Sequence, residues 1–227
     1  EYLLGVKFKL DPGWHTYWKN PGDSGEKASF EWTLPDGFKI DGPFWPQPEK
    51  IPYPPLMTFG YNDEVIVFFK LSSSGKINDD SEISLSTKWL ACADVCLPQE
   101  AFIKTNINKN PISNKNALEI NDSFNKNIPK VFKKNISATY INNSLVLSFE
   151  LPDRHVKDDI IFFPDEPGLI DYSKDQLIER NNNSASLSLF KLDSSNNFVN
   201  VSGLLQFLGE TSKTSYQFET QLPKKSN

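Results

Sequence analysis

Short runs of alternating apolar and polar residues recur along the whole chain, separated by Gly, Pro, Asn, Asp and Ser. Successive side chains of a strand point to opposite faces, so a period of two predicts a strand. The runs are YLLGVKFKL, SFEWTL, EVIVFFKL, EISLSTKWL and AFIKTNI in the first half, and SLVLSFEL, DIIFFP, SASLSLFKL, VSGLLQFL and SYQFETQL in the second. Repeated strand–turn units without helices between them predict an all-β fold of sandwiches or barrels.

One segment, residues 109–134, breaks this pattern. Its apolar residues fall near helical spacing, and Pro129 is expected to end the helix. We therefore predict a helical linker here between two β domains, at residues 1–108 and 135–227. A helix that crosses over within a single domain is the alternative. The apolar residues are Ala117, Leu118, Ile120, Phe124 and Ile128.

A proline-rich stretch, PFWPQPEKIPYPP, occupies residues 43–55. Proline lacks the N–H that a central strand needs, so this stretch is predicted to form a loop or an edge strand. A ligand for an SH3-type domain is the alternative reading, because such domains bind Pro-rich segments.

The charge balance and the chain start narrow the function classes. A net charge of −5 and a pI near 5.2 argue against a nucleic-acid binder. No run approaches the roughly 18 apolar residues of a membrane span. The chain begins inside a predicted strand, so we expect a processed form from which the signal peptide is absent.

The two cysteines of the chain, Cys92 and Cys96, lie together in LACADVCLPQE. On one regular strand their Cα atoms would be roughly 13 Å apart, whereas a disulfide needs about 4.4–6.8 Å. Helical i, i+4 positions leave Cβ atoms about 5–6 Å apart, which is also too far. The pair can therefore bond only across a tight turn or a sharply bent strand end.

Three roles for this pair stay open on chemistry alone. A disulfide closing about five residues stabilises by roughly 2 kcal/mol, so redox cycling explains the pair better than a structural staple does. Two thiolates with His15 or His155 could instead bind Cu(I) or zinc.

The acidic neighbours of the cysteines, Asp94 and Glu100, should raise the pKa of a thiol. A pair in such surroundings attacks weakly when reduced, but it can accept electrons when another protein's thiolate attacks it. The residues thus favour a recipient and relay of electrons.

Three blocks of the sequence are distinctive, namely GWHTYWKNPGDSGEKASFEW at residues 13–32, TFGYNDEVIVFF at 58–69 and WLACADVCLPQEA at 89–101. Together they resemble the periplasmic N-terminal region of the DsbD/ScsB-type thiol:disulfide interchange proteins. FFPDEPGLIDY at residues 162–172 resembles the second β domain of the ScsB-like branch. The resemblance spans nearly the whole chain. It implies an immunoglobulin-like sandwich, so that with the helical linker above we predict two such sandwiches joined by a short helical connector. The second contains no cysteine and no cluster of catalytic residue types, so we expect it to be non-catalytic.

The resemblance also implies a function. Such a domain receives electrons from a thioredoxin-like domain, usually of the same membrane-anchored polypeptide. It passes them to periplasmic thioredoxin-fold proteins such as disulfide isomerases, to cytochrome c maturation proteins or to peroxide-reducing proteins. Cys96 then forms the mixed disulfide with partners, and Cys92 resolves it. No cofactor is expected.

The family shields its disulfide with an aromatic cap loop. MTFGY matches this loop best, with Phe59 as the predicted shield and Tyr61 as the alternative. Phe59 as an ordinary core residue is the competing interpretation. The better-known branch separates its cysteines by more than three residues, so its cap geometry need not carry over. Residues expected to support the site are Trp14, Tyr17, Trp89, Asp94 and Pro98.

Overall fold

A computed structural model describes residues 1–74, 81–107, 114–192 and 198–223, and for residues 114–116 it describes only the backbone. The chain divides into two compact units. The first unit comprises Glu1–Pro21, Gly25–Ile51 and Phe59–Ile128, and the second comprises Gly22–Ser24, Pro52–Thr58 and Pro129–Asn227.

The first unit is built from two sheets. Its strands are β1 Tyr2–Lys9, β2 His15–Gly22, β3 Ser29–Thr33, β4 Phe38–Phe44, β5 Glu49–Tyr53, β6 Leu56–Asn62, β7 Glu64–Ser73, β8 Glu82–Cys92 and β9 Cys96–Asn106. One sheet has the order β1-β7-β4, and the other has the order β3-β8-β2-β6-β5 with β9 paired to β8. The predicted all-β class is confirmed.

Aromatic side chains from both sheets fill the core of the first unit. Phe8 of β1 contacts Phe30 and Trp89, with ring centroids 6.1 and 5.1 Å apart. Phe69 of β7 contacts Phe30 at 5.0 Å and Trp32 at 5.2 Å. All four contacts are edge-to-face, an arrangement worth about 0.5–1.5 kcal/mol each beyond the burial of area. These contacts hold the two sheets together as a sandwich.

The helix α1 spans Asn114–Asn127, within the predicted segment, of which residues 109–113 lie outside the described part of the chain. It groups with the first unit and packs against it. Phe124 contacts Phe68 at 5.3 Å and Phe44 at 6.2 Å, both edge-on. The backbone N–H of Gln47 donates to the last helical carbonyl at 3.0 Å. The predicted domain boundaries stay a prediction, but the helix is docked on a sandwich.

Replacing Phe124 by alanine tests this docking. Because the ring is half-buried against two phenylalanines, we expect the free energy of unfolding to fall by about 1–2 kcal/mol. Leu118→Ala on the same helix is the matched control, because Leu118 is 61% exposed and should change stability by less than about 0.5 kcal/mol. Urea denaturation measures both. Equal effects would contradict a docked helix.

The second unit is also formed by two sheets, of four strands each. Its strands are β10 Lys130–Val131, β11 Ile136–Ile141, β12 Ser144–Glu150, β13 Asp159–Pro164, β14 Leu177–Asn181, β15 Ser184–Phe190, β16 Asn200–Leu208 and β17 Lys213–Gln221. The orders are β10-β17-β16-β13 and β11-β12-β15-β14. Alternation along β12 and β15 places Leu145, Leu147, Leu187 and Leu189 in the core.

In strand β2, buried and exposed side chains do not alternate. Tyr17 and Trp18 are consecutive and both buried, so β2 is covered on both faces and has no polar face to alternate with. Strand β2 continues through Gly22, and a turn follows it at residues 23 and 24. The expectation for the proline-rich stretch is confirmed, since β4 and β5 are each the outermost strand of a sheet.

Candidate functional site

The two cysteines close the hairpin between β8 and β9. They face each other as the last register pair, and the three intervening residues form the turn, in which the Ala93 N–H donates to the Val95 carbonyl at 3.0 Å. Cys92 and Cys96 form a disulfide with an S–S distance of 2.04 Å and Cα atoms 4.1 Å apart. This Cα separation is slightly below the about 4.4–6.8 Å usual for a disulfide and close to the about 4.5 Å of a non-hydrogen-bonded antiparallel pair. The prediction of a tight turn is confirmed.

The two sulfur-bearing residues differ sharply in exposure. Cys92 is only 1% exposed and is the last residue of β8, which pairs with β9 on one side and with β3 and β2 on the other. Cys96 begins β9, whose residues are nearly all exposed, and is itself exposed. Val95 and Leu97, on either side of Cys96, are also exposed apolar residues. A thiolate of another protein can therefore approach Cys96, while Cys92 is covered.

Two aromatic residues of strand β2, His15 and Tyr17, lie next to the cysteine pair. His15 is the register partner of Cys92, and the hydroxyl of Tyr17 lies 3.7 Å from Sγ of Cys96. Neither sulfur of a disulfide carries a hydrogen, so the tyrosine donates. The two rings contact each other edge-on at 5.3 Å. Burial lowers the pKa of His15 and raises the pKa of Tyr17, so near neutral pH both rings are uncharged.

The aromatic residues of the predicted cap lie on β6, next to β2 in the sheet. Phe59 is completely buried. Tyr61 is buried as well, and its hydroxyl donates to the Pro46 carbonyl at 2.8 Å, so burial raises the pKa of Tyr61 well above its ordinary value. Burial is expected both of a core residue and of a ring that covers a disulfide. The cap role of Phe59 therefore stays a prediction.

The part of the chain that contains this hairpin is similar to a known protein family. Residues 1–106 match the family model of the N-terminal domain of the thiol:disulfide interchange protein DsbD. This part of the chain is therefore similar to the N-terminal domain of DsbD. The resemblance seen in the sequence is thereby confirmed.

The structure of the whole chain is similar to the crystal structure of the N-terminal periplasmic domain of ScsB from Proteus mirabilis. The TM-score is 0.72 at 17% identity, with 96% of this chain and 87% of that chain covered. This likeness confirms the immunoglobulin-like all-β fold. An endo-fucoidan hydrolase, MfFcnA9 of glycoside hydrolase family 107, aligns with a TM-score of 0.22 at 10% identity over 93% of this chain and 34% of its own, which carries no argument. No curated protein matches the chain.

The remaining predicted site residues of the DsbD-type domain are spread around the hairpin. Asp94 is exposed in the turn, and Trp14 is half-buried just before β2. Trp89 packs on Phe8, and its odd spacing from Cys92 puts it on the other face of β8. Pro98 stands two residues after Cys96, where the missing N–H would face away from β8, so no ladder bond is lost.

Two features of the DsbD-type site were not predicted from the sequence. One is the tie between β2 and β8, in which the Thr16 hydroxyl donates to the Leu90 carbonyl at 2.9 Å. The other is Gly25, where φ is +105° and an added Cβ would lie 2.2 Å from Cε1 of Tyr17. Only glycine fits there without displacing the ring. The two glycines of the PGDSG block were a signal for such a close approach.

The alternative of a metal site finds little support in the geometry. Within the described residues, no group of three or more His, Cys, Asp or Glu side chains could hold a metal ion. His155 lies in the second unit, where Nδ1 is 2.7 Å from the Asp158 carboxylate and Nε2 is 3.2 Å from the Tyr216 hydroxyl. Its ring also stacks on Phe207 at 4.7 Å. Both ring nitrogens of His155 therefore already have partners.

In the part of the chain that the structure describes, no helix is long and apolar enough to cross a membrane.

Proposed function

We propose that this chain is a periplasmic protein-disulfide reductase module whose Cys92–Cys96 pair cycles between disulfide and dithiol. A thioredoxin-like domain of a larger membrane-anchored polypeptide supplies the electrons. Periplasmic thioredoxin-fold proteins, such as a disulfide isomerase, accept them. One observation carries the proposal: in a DsbD-type domain, an exposed Cys96 is bonded to a buried Cys92 at the tip of a hairpin.

The difference in exposure between Cys92 and Cys96 supports the following electron-accepting half-reaction. A thiolate of the donor attacks Sγ of Cys96, and the bond to Cys92 breaks. The electron pair of that bond leaves on the sulfur of Cys92, which takes up a proton. The second thiolate of the donor then attacks the donor's own sulfur in the mixed disulfide and releases Cys96. The donor leaves with a disulfide, and this chain holds the dithiol.

The electron-donating half-reaction uses the same two sulfurs in the opposite direction. The Cys96 thiolate attacks the disulfide of the acceptor, whose other sulfur leaves as a thiolate. Cys92 then attacks Sγ of Cys96, breaks the mixed disulfide and restores the original bond. Two electrons and two protons pass to the acceptor. Cys92 needs no access from solvent in either direction, which agrees with its burial.

The proposal also gives roles to residues near Cys96, to Phe59 and to the second unit. Val95 and Leu97 offer apolar surface to a partner whose thiolate must come within bonding distance of Sγ. Phe59 stays in the proposal as the predicted shield of the disulfide against stray thiols, although Cys96 itself is exposed. The second unit serves as a spacer or docking surface.

A redox titration of the full chain tests whether the pair is a relay. We expect a reduction potential above about −300 mV, in the range of exchange catalysts, and rapid reduction by a thioredoxin. Equilibration with glutathione and dithiothreitol buffers, followed by alkylation of free thiols, measures the potential. A value well below about −300 mV would instead identify an inert structural bond.

The copper-handling alternative is separated by a titration of its own. Cu(I) is added to the reduced chain, with Cys92→Ser as the control that removes one thiolate. The relay predicts no stoichiometric Cu(I) binding that depends on Cys92. Tight binding lost in the control would favour a metal ligand role instead.

A further inference from the structure

The hydroxyl of Tyr17 reaches one sulfur of the disulfide across a long sequence distance. Tyr17 lies on β2, Cys96 starts β9, and 79 positions separate them. The tyrosine is 2% exposed, so water competes little for its hydroxyl. The hydrogen bond from this hydroxyl goes to Sγ of Cys96, the exposed cysteine of the pair.

The ring of Tyr17 is held in this position from two sides. Gly25 lies against it so closely that a Cβ would come within 2.2 Å of Cε1 and 2.3 Å of Cζ. The ring of His15 packs against it edge-on. The positive φ of Gly25 suits glycine alone, so the backbone at this point is shaped to receive the ring. The hydroxyl is thus aimed at the sulfur before any partner binds.

The same hydrogen bond changes in strength during exchange. A disulfide sulfur is a weak acceptor, whereas a thiolate is charged, and charged acceptors roughly double the strength of a hydrogen bond. Cys96 is a thiolate whenever it attacks an acceptor or leaves a donor. Burial keeps Tyr17 protonated at the pH of exchange, so it remains a donor throughout.

We propose that Tyr17 is a hydrogen-bond donor that stabilises the thiolate of Cys96 and thereby makes Cys96 the attacking and leaving sulfur of the exchange. This assignment rests on the proposed function and adds a residue to its chemistry. The donor offsets the effect of the exposed acids near Cys96, which are Asp94 in the turn and Glu100 on β9, opposite Lys88 of β8. His15 faces the pair from β2, where its lowered pKa leaves it neutral.

Alkylation of a single cysteine measures this effect without any partner. In Cys92→Ala the chain keeps Cys96 as its one thiol, so the pH dependence of its alkylation reports its thiolate. Adding Tyr17→Phe removes only the hydroxyl. We expect the alkylation profile to move up by about one pH unit, a roughly tenfold slower reaction near neutral pH. Gly25→Ala, which displaces the ring, should move the profile in the same direction.

The matched control is Tyr2→Phe in the same Cys92→Ala chain. Tyr2 lies on β1 of the same unit, against a cluster that includes Leu71 and Ile83. Its variant should leave the profile unchanged. If the Tyr17→Phe and Tyr2→Phe profiles coincide while both chains keep the parent melting temperature, Tyr17 is not the donor. That result is distinct from failure of the proposed function, which would appear as a parent chain that exchanges with no thioredoxin.

Discussion

We expect Cys96→Ala to abolish capture of partners as mixed disulfides and Cys92→Ala to make the captured species accumulate. Cys96 is exposed, and Cys92 is buried. Without Cys92 the resolving attack cannot occur, so the mixed disulfide on Cys96 persists. Without Cys96 the remaining thiol is covered by its neighbours. We expect at least about a hundredfold difference in trapped partner, because removing a nucleophile from an enzyme lowers its rate by much more than that.

The measurement uses a thioredoxin whose resolving cysteine is replaced and whose remaining cysteine carries a thionitrobenzoate group as a disulfide. Each reduced variant is mixed with it, so that an attacking thiolate displaces thionitrobenzoate, and the products are separated on a non-reducing gel. Cys92→Ala, Cys96→Ala and the double variant form a matched set, and thermal melting shows that each is folded. Trapping by Cys96→Ala but not by Cys92→Ala would reverse the two roles. If neither variant traps the thioredoxin, the proposed relay of electrons through this cysteine pair is wrong.

Replacing Phe59 by alanine is expected to cost about 3–5 kcal/mol of unfolding free energy. The side chain is completely buried on β6, so its removal leaves a cavity that the surrounding sandwich fills only in part. The proposed cap role adds a second expectation. At temperatures where the variant is still folded, a small thiol should reduce its disulfide several times faster than that of the parent chain.

Phe102→Ala is the control for this pair of readouts. Phe102 is on β9 and 65% exposed, so its truncation should change stability by less than about 0.5 kcal/mol. Urea denaturation gives the stability, and dithiothreitol kinetics give the access to the disulfide. If Phe59→Ala loses stability but its disulfide is reduced at the parent rate, Phe59 is a core residue and does not shield the disulfide. Tyr61→Phe then tests the alternative cap residue in the same assay.

The helix shows how far a local pattern reaches. Its apolar residues recur at helical spacing, and its end before Pro129 follows from the sequence. Where the helix lies does not, because its contacts with Phe44 and Phe68 come from residues distant in the chain. Whether a helix links two domains or packs on one of them depends on such non-local contacts.

The alternating runs determined the all-β class, and the spacing of Cys92 and Cys96 determined that any bond between them needed a tight turn. Both are local properties of a chain with fixed geometry. Only the tertiary structure decided that Cys92 is covered, that Cys96 is exposed and that Tyr17 reaches its sulfur. The contact between Tyr17 and Cys96 joins β2 to the hairpin of β8 and β9, and strand pairing at long separation leaves no trace in a local pattern.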